Sequence, residues 1–395
     1  MDKPIAVAFS GGLDTSYLVA SYAEQGHPVT AISVNTGAWD DAGLTALAAH
    51  ARKLGASEHV AIDGRRMLYD DAIAWLIRGN VLRGHVYPLC VGAERVVQAH
   101  LFAQEANARG ITTLAHGSTG AGNDQVRFDV TLRAVAPHSE VQAPIRDREL
   151  SREFTSGWLA ARQLGPLQKD AAVSINQGLW GTTAGGRETH DAWLSPTEAS
   201  FPTTTSPAEG PAEGVEIVIA FDKGLPVAVD GVACEGWEAI RRLAEIGAAH
   251  GIGRGVHLGD TILGIKGRVA FEAPAASILI AAHRELEKLV LTKRQRDLKD
   301  RAGAYYGDLL HEGLWLDPVC RDLERLIESS QERVTGEARV RLRRLGCDVQ
   351  GVRSPHALMV AGARYGEGSA LWDGRDAEGF AKIYGIAARL AEETR

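Results

Sequence analysis

The most constraining feature of the sequence is a short stretch, residues 8–16, that reads Ala-Phe-Ser-Gly-Gly-Leu-Asp-Thr-Ser. An apolar run begins just before it at Ile5, and apolar residues at helical spacing follow it, so the pattern predicts a strand, a loop and a helix. Two glycines let a phosphate approach the backbone closely, and the amino end of a helix offers N–H groups to an anion. Asp14 could cap the helix or help hold a metal-bound polyphosphate. The stretch has neither the lysine of a Walker A loop nor the G-x-G-x-x-G spacing, so we predict another kind of phosphate loop.

The first 140 residues alternate apolar runs with helical patterns. Beyond the first strand and helix, we predict strands over 29–34, 59–62, 112–115 and 141–143, with helices over 42–54, 67–81 and 93–109. Strands that alternate with helices of this length are typical of a parallel sheet covered by helices on both faces. The sequence therefore predicts an α/β nucleotide-binding domain.

A second polar loop follows the predicted strand 112–115. Residues 116–128 read His-Gly-Ser-Thr-Gly-Ala-Gly-Asn-Asp-Gln-Val-Arg-Phe, with three glycines among hydrogen-bonding side chains. Thr119 and Asn123 can bind a carboxylate and an amine, Asp124 can pair with an ammonium, and Arg127 can fork onto a carboxylate. Open α/β sheets bind ligands at this edge, so the loop predicts an amino-acid substrate.

Composition excludes several other classes of protein. The 395 residues include 43 basic and 50 acidic ones, a net charge of −7, which argues against a dedicated nucleic-acid binder. No apolar stretch is long enough for a transmembrane helix, and the first residues show no signal peptide. The four cysteines are isolated from one another, so we predict that they pack in the interior and that the protein is cytoplasmic; they are Cys90, Cys234, Cys320 and Cys347. Four histidines lack the spacing of metal ligands, so we predict structural or surface roles for them; they are His27, His50, His250 and His283.

The second half has a different character. A loop rich in proline, serine and threonine over 195–214 precedes a hairpin predicted from the runs 215–221 and 226–229. Helices are predicted near 237–250 and 276–289, a solvated helix face over the charged run 283–301, and a last helix over 376–394. We therefore expect three units, a nucleotide-binding domain over 1–165, an α+β domain over 166–360, and a C-terminal tail and helix over 361–395.

The two loops together carry a resemblance to a known family. The first loop resembles the pyrophosphate loop of N-type ATP pyrophosphatases, and residues 116–128 are similar to the H-G-x-T-G-x-G-N-D-Q-V-R-F signature of argininosuccinate synthases. The resemblance implies an adenine nucleotide α-hydrolase-like domain, an α+β synthetase domain and a C-terminal oligomerisation helix. It also implies a carbon–nitrogen ligase that joins citrulline to aspartate through a citrulline adenylate, uses ATP with Mg²⁺, and forms a homotetramer without nucleic-acid or membrane partners.

The resemblance also assigns residues to each substrate. It implies catalytic roles for Asp14, Asp124 and Arg127. The implied ATP site is Ala8, Phe9, Ser10, Gly11, Gly12, Leu13, Asp14, Thr15, Ser16, Val34 and Gly117. The implied aspartate site is Thr119, Asn123 and Asp124, and the implied citrulline site is Tyr87, Asn123, Arg127, Ser174 and Thr183.

Three positions depart from the commonest family pattern. Gly92 stands where a serine is common, Gly259 where many members carry a glutamate, and Phe271 where many carry a tyrosine. The last two changes remove hydrogen bonds expected at the substrate's α-amino group. The same chemistry on another ureido or carbonyl acceptor in a specialised pathway is therefore an alternative hypothesis. The sequence argues against three other functions. A tRNA thiolation enzyme would need activated cysteines and a basic surface. An ammonia-using synthetase would not need the second loop, and a regulatory ATP-binding module would not need two substrate-type loops.

Overall fold

The computed structural model describes residues 3–167, 173–359 and 365–395. The strands of the first half are β1 (Ile5–Ala8), β2 (Val29–Asn35), β3 (Glu58–Asp63), β4 (Thr113–Ala115) and β5 (Glu140–Gln142). They form one sheet in the order β3-β2-β1-β4-β5, and every neighbouring pair is parallel. The α/β class predicted from the alternating pattern is confirmed.

Helices cover both faces of this sheet. They are α1 (Leu13–Glu24), α2 (Asp41–Lys53), α3 (Arg65–Leu68), α4 (Ala74–Arg78), α5 (Gly92–Ala108), α6 (Asp124–Val135), α7 (Pro144–Asp147) and α8 (Arg152–Ala160). A π turn over Tyr69–Ile73 joins α3 to α4 where the sequence predicts one helix. Successive residues of a strand point to opposite faces, so Ile5 and Val7 enter one buried cluster and Ala6 enters another.

The topology brings the two predicted loops together. From β1 the chain runs to β2 and β3 on one side of the sheet, and later to β4 and β5 on the other. Ile5 of β1 is in register with both Val29 of β2 and Thr113 of β4. The carboxyl ends of β1 and β4 are therefore neighbours, and the crevice between them is the usual ligand site of an open parallel sheet.

The second half contains two antiparallel sheets. Its strands are β6 (Val173–Gly178), β7 (Gly181–Gly186), β8 (Val215–Asp222), β9 (Leu225–Val229), β10 (Val232–Ala233), β11 (Arg254–Asp260), β12 (Lys266–Glu272), β13 (Gly336–Arg343) and β14 (Gly346–Arg353). One sheet has the order β11-β12-β7-β6 and the other β10-β9-β8-β13-β14. The predicted hairpin is the pair β8 and β9. Within 195–214 the structure has only a 3₁₀ turn at Glu198–Ser200, in agreement with the predicted loop.

Four helices accompany these sheets: α9 (Gly236–Ala249), α10 (Pro274–Val290), α11 (Lys293–His311) and α12 (Pro318–Gln331). The charged run over 283–301 is only partly the solvated face predicted, because three of its members are fully buried. Lys299 lies 2.8 Å from Glu287 and 2.8 Å from Asp300, and His283 lies beside the same carboxylate. A charged side chain can be buried only where other groups pair with it or form hydrogen bonds to it. The order of charges along the sequence does not show which groups those are.

The predicted last helix is two helices, α13 (Gly374–Tyr384) and α14 (Ile386–Glu393), separated at Gly385. None of their residues is buried, and Phe380, Ile383 and Tyr384 expose most of their side chains. Among the described residues, no helix combines the length and the apolar character needed to cross a membrane.

Candidate active site

The first loop lies between β1 and α1, as predicted. Gly11 has a φ of +74°, and a side chain there would come within 2.7 Å of Leu47 Cδ1, so the turn requires glycine. Helix α1 begins at Leu13 with Gly12 at the N-cap, and no side chain caps it. Gly12, and not Asp14, is therefore the N-cap residue, and Asp14 lies inside the first turn. An uncapped amino end leaves backbone N–H groups available to an anion.

Hydroxyl groups line this loop. Ser10 Oγ lies 3.2 Å from Thr15 Oγ1, and Ser16 Oγ lies 3.0 Å from His50 Nε2. The His50 ring stacks on Phe9 with the ring centroids 6.0 Å apart. Burial and the charge of Lys53 lower the pKa of His50, so its ring is neutral near pH 7. Sequence reasoning treated His50 as a packing or surface histidine, because no spacing signal connects it to a loop 34 residues earlier.

The second loop touches the first. A Cβ at Gly117 would lie 3.2 Å from Asp14 Cβ and 3.3 Å from the backbone nitrogen of Thr15. His116 anchors the loop, since its Nε2 lies 2.8 Å from Asp129 Oδ1. The two glycine-containing loops thus form one continuous surface at the carboxyl ends of β1 and β4.

An open cavity of about 380 Å³ lies at the same edge of the sheet, beside the carboxyl ends of β2 and β3. Its lining includes Asn35, Trp39, Ile62, Asp63 and Arg65. Val34, the predicted contact to the adenine region, is the buried residue immediately before Asn35. The cavity therefore adjoins the residue predicted to contact the adenine region.

Asp124 is the centre of an ion-pair network. Its Oδ1 accepts a hydrogen bond from Arg127 Nη1 at 2.9 Å, and its Oδ2 accepts one from Arg95 Nε at 3.1 Å. Burial alone raises the pKa of Asp124, but the charges of Arg95 and Arg127 outweigh burial and lower it. Arg95 also donates to Asn176 Oδ1 at 2.7 Å, which ties α5 to β6. Sequence reasoning missed Arg95, which stands in an ordinary helical pattern 29 residues before Asp124.

Arg127 belongs to α6, and its buried side chain packs against the end of α11. Its Nε donates to the carbonyl oxygen of His311 at 2.9 Å, and its Nη2 lies 3.2 Å from His311 Nδ1. Burial and the charge of Arg127 lower the pKa of His311 to about 3, so this ring stays neutral. These contacts use three of the five guanidinium N–H groups and leave one on each terminal nitrogen.

The predicted acceptor residues converge from both halves of the chain. The ring of Tyr87 packs 5.2 Å from the ring of Phe271, and β12 places Phe271 in register with Thr183 of β7. Asn123 Oδ1 accepts a hydrogen bond from the backbone N–H of Ile262, in the turn between β11 and β12, at 2.9 Å. Thr119 is exposed in the second loop. Ser174 belongs to β6, but its side chain lies outside the described part of the structure.

Metal ligands are absent from the part of the chain that the structure describes: no group of three or more histidine, cysteine, aspartate or glutamate residues could hold an ion. All four cysteines are free, and Cys90 and Cys320 are buried. Burial raises the pKa of the Cys90 thiol, which makes it a poor nucleophile. These findings agree with the packing role predicted for the cysteines.

Glu94 is a buried carboxylic acid beside this network. Thr36 Oγ1 and Gln98 Nε2 both donate to its Oε1, whereas Oε2 has no hydrogen-bond partner among the described residues. Oε2 points at Gly178, where a Cβ would lie only 2.0 Å away. Burial raises the pKa of Glu94 to about 7. The folded protein therefore keeps a proton on this group that the unfolded chain releases near the ordinary pKa of a glutamate.

We expect Glu94 to make folding stability depend on pH. Because the pKa is raised in the folded state, this contribution is fully present below about pH 4.5 and is lost as the pH rises towards 7. Glu94→Gln removes this titration. The free energy of unfolding of the variant, minus that of the unchanged protein, should therefore rise by about 2–3 kcal/mol between pH 5 and pH 8. Urea unfolding at both pH values measures this, with Glu105→Gln on the same helix as the control. An equal difference at the two pH values would show that Glu94 does not titrate in this range.

Comparison with known proteins covers both halves of the chain. Residues 4–164 match the family model described as "Arginosuccinate synthase N-terminal HUP domain", and residues 173–391 match "Arginosuccinate synthase C-terminal domain". The chain is 36% identical to the argininosuccinate synthase of Xanthomonas campestris over 98% of both chains. It is 36% identical to that of Dehalococcoides mccartyi over 99% of this chain and 96% of the relative, and 35% identical to that of Pelodictyon phaeoclathratiforme over 99% and 98%. The chain therefore belongs to the argininosuccinate synthase family.

Proposed function

We propose that this protein catalyses the reaction of its family, the ATP-dependent joining of citrulline to aspartate in arginine biosynthesis. The ureido oxygen of citrulline attacks the α-phosphorus of ATP and pyrophosphate leaves. The amine of aspartate then attacks the ureido carbon, loses a proton and expels AMP to give argininosuccinate. The observation that carries the proposal is the contact at Gly117, which joins a phosphate-type loop to an amino-acid-type loop.

ATP is assigned to the first loop. The β- and γ-phosphates would lie against the amino end of α1 and the hydroxyls of Ser10 and Thr15, with the α-phosphate towards Gly117; Ser16 is buried and would support the loop from behind. His50 would hold Ser16 in place through the hydrogen bond at 3.0 Å. The base would lie near Val34 and the adjoining cavity. We treat the nucleotide as Mg-ATP, in which the phosphate oxygens are the main ligands of the ion.

Aspartate is assigned to the second loop. Asp124 would bind its ammonium group, and Thr119 and Asn123 would bind its carboxylates. Asp124 is ionised and fixed by two guanidinium groups, so it is already oriented before the substrate arrives. Citrulline is assigned to the surface formed by Tyr87, Asn123, Arg127, Thr183 and the neighbouring Ser174.

Catalysis would depend mainly on placement and charge. The residues assigned to the three substrates come from the two loops, the segment around Tyr87, and strands of two sheets. The backbone N–H groups at the amino end of α1 would stabilise charge as pyrophosphate leaves. Asp14 lies in the first turn of α1, against Gly117, and is the acidic group that we place nearest the phosphates.

The assay that tests this function is pyrophosphate release from Mg-ATP with aspartate, measured with and without citrulline. We expect release to require citrulline and to yield AMP and argininosuccinate in equal amounts. Protein that binds ATP but releases no pyrophosphate with citrulline would refute the proposal.

We also propose a homotetramer in which the C-terminal helices reach a neighbouring subunit. Their exposed apolar residues, among them Phe380, Ile383 and Tyr384, support this assignment, because surface helices of a monomer rarely leave such a face in water.

A further inference from the structure

His257 is a buried polar residue for which the reaction described above gives no role. It lies in β11, and only 8% of its surface is exposed. Its Nε2 is buried and has no hydrogen-bond partner among the described residues. Since a buried nitrogen without a partner costs free energy, such groups are uncommon and call for an explanation.

The imidazole fills the space that a side chain at position 259 would need. A Cβ on Gly259 would lie 2.4 Å from His257 Nε2, which is far inside van der Waals contact. On the other side, a Cβ on Gly84 would lie 2.9 Å from His257 Cε1. The His257 ring as placed therefore requires glycine at position 259, because any larger residue there would collide with it.

This feature faces the predicted acceptor residues. His257 and Gly259 are two apart on β11, so they share a face of the sheet, and Phe271 reaches that face through its register with Gly255. The His257 ring stacks on Tyr87, with centroids 5.3 Å apart and an angle of 15° between the rings. Tyr87 and Phe271 both occupy positions assigned to the acceptor.

Burial, together with a neighbouring positive charge, favours the neutral form of the His257 ring. Burial and the nearby Arg83 lower the pKa of His257. Arg83 is itself held by the carbonyl oxygen of Asp260, at 3.0 Å, and by Asp308, at 3.4 Å. A neutral imidazole has one nitrogen lone pair that can accept a hydrogen bond.

We propose that His257 is a specificity-determining residue of the acceptor site, whose Nε2 accepts a hydrogen bond from the α-amino group of citrulline. It supplies the polar contact that a side chain at 259 and a hydroxyl at 271 do not supply in this chain. The inference rests on the proposed function, because it takes citrulline as the acceptor.

The test compares two substrates in the intact enzyme, citrulline and 5-ureidopentanoate, which is citrulline without its α-amino group. His257→Phe keeps an aromatic ring against Tyr87 and removes the nitrogen. We expect kcat/KM for citrulline to fall by about 10-fold, mainly through KM, with kcat/KM for 5-ureidopentanoate changed by less than about 2-fold. The KM values for ATP and aspartate should stay the same.

Two further variants separate recognition from folding. His100→Phe removes a half-buried imidazole whose Nδ1 is buried without a hydrogen-bond partner among the described residues. This ring packs edge-on against Trp315 at 5.4 Å, and the change should leave both substrates unaffected. His257→Ala combined with Gly259→Glu should recover most of the lost citrulline kcat/KM, whereas Gly259→Glu alone should not be tolerated.

Equal losses for both substrates in His257→Phe, or no loss for either, would overturn the role of His257. If the unchanged enzyme shows no citrulline-dependent pyrophosphate release, the proposed function fails instead, so the two failures are distinguishable.

Discussion

Asp124→Asn should abolish most of the activity of this enzyme without unfolding it. The change keeps the size of the side chain but removes the charge that holds Arg95 and Arg127 at 3.1 and 2.9 Å. It also removes the charge that we assign to the ammonium of aspartate. The Asp124 side chain is 37% exposed, and losing a hydrogen bond to a charged group costs about 1.5–3 kcal/mol, so kcat/KM for aspartate should fall about 10- to 150-fold.

The effect should be specific to aspartate. KM for ATP should change by less than about 3-fold, because the phosphates are assigned to the first loop and the base to the region of Val34. Steady-state pyrophosphate release with each substrate varied in turn gives these constants. Asp322→Asn removes an exposed carboxylate on α12 that pairs with Arg325, and serves as the control. Unchanged kcat/KM for aspartate in Asp124→Asn would show that another residue binds the ammonium.

Local signals account for what the sequence predicted well. The order of β1, its loop and α1 depends on apolar periodicity and two glycines within twenty residues, and the structure reproduces it. The parallel sheet follows from the repeated alternation of strand and helix. The contact between the two loops follows from topology, because the carboxyl ends of parallel neighbours share one edge.

Long-range pairing accounts for what the sequence did not predict. The sheet that contains β6, β7, β11 and β12 was missed because its strands are rich in glycine and polar residues and lack clear alternation. These strands are stabilised by partners nearly ninety residues away, such as Thr183 opposite Phe271. Arg95, Glu94 and His257 were missed for the same reason, since each acquires its role only from residues on other elements.

Lys299→Ala should be the most destabilising substitution considered for the second half of the chain. Lys299 Nζ lies 2.8 Å from Glu287 Oε2, and both side chains are completely buried. Glu287 also accepts hydrogen bonds from Asn80 at 2.5 Å and Gln331 at 2.7 Å, so it connects the end of α4 to α10 and α12. Removing the ammonium leaves a buried carboxylate without its counter-charge, which should lower the free energy of unfolding by about 3–5 kcal/mol.

Urea unfolding followed by tryptophan fluorescence measures this loss, and two variants show its origin. Lys382→Ala breaks an ion pair of the same 2.8 Å length on the exposed helix α13, and should change stability by no more than about 0.5 kcal/mol. Glu287→Gln combined with Lys299→Met removes both charges, and should recover most of the stability lost in Lys299→Ala because no charge is then left buried. Because Met keeps most of the lysine stem, a double variant as unstable as Lys299→Ala would show that the ion pair and its hydrogen bonds themselves stabilise this region, and that the burial of an unpaired carboxylate is not the cause of the loss.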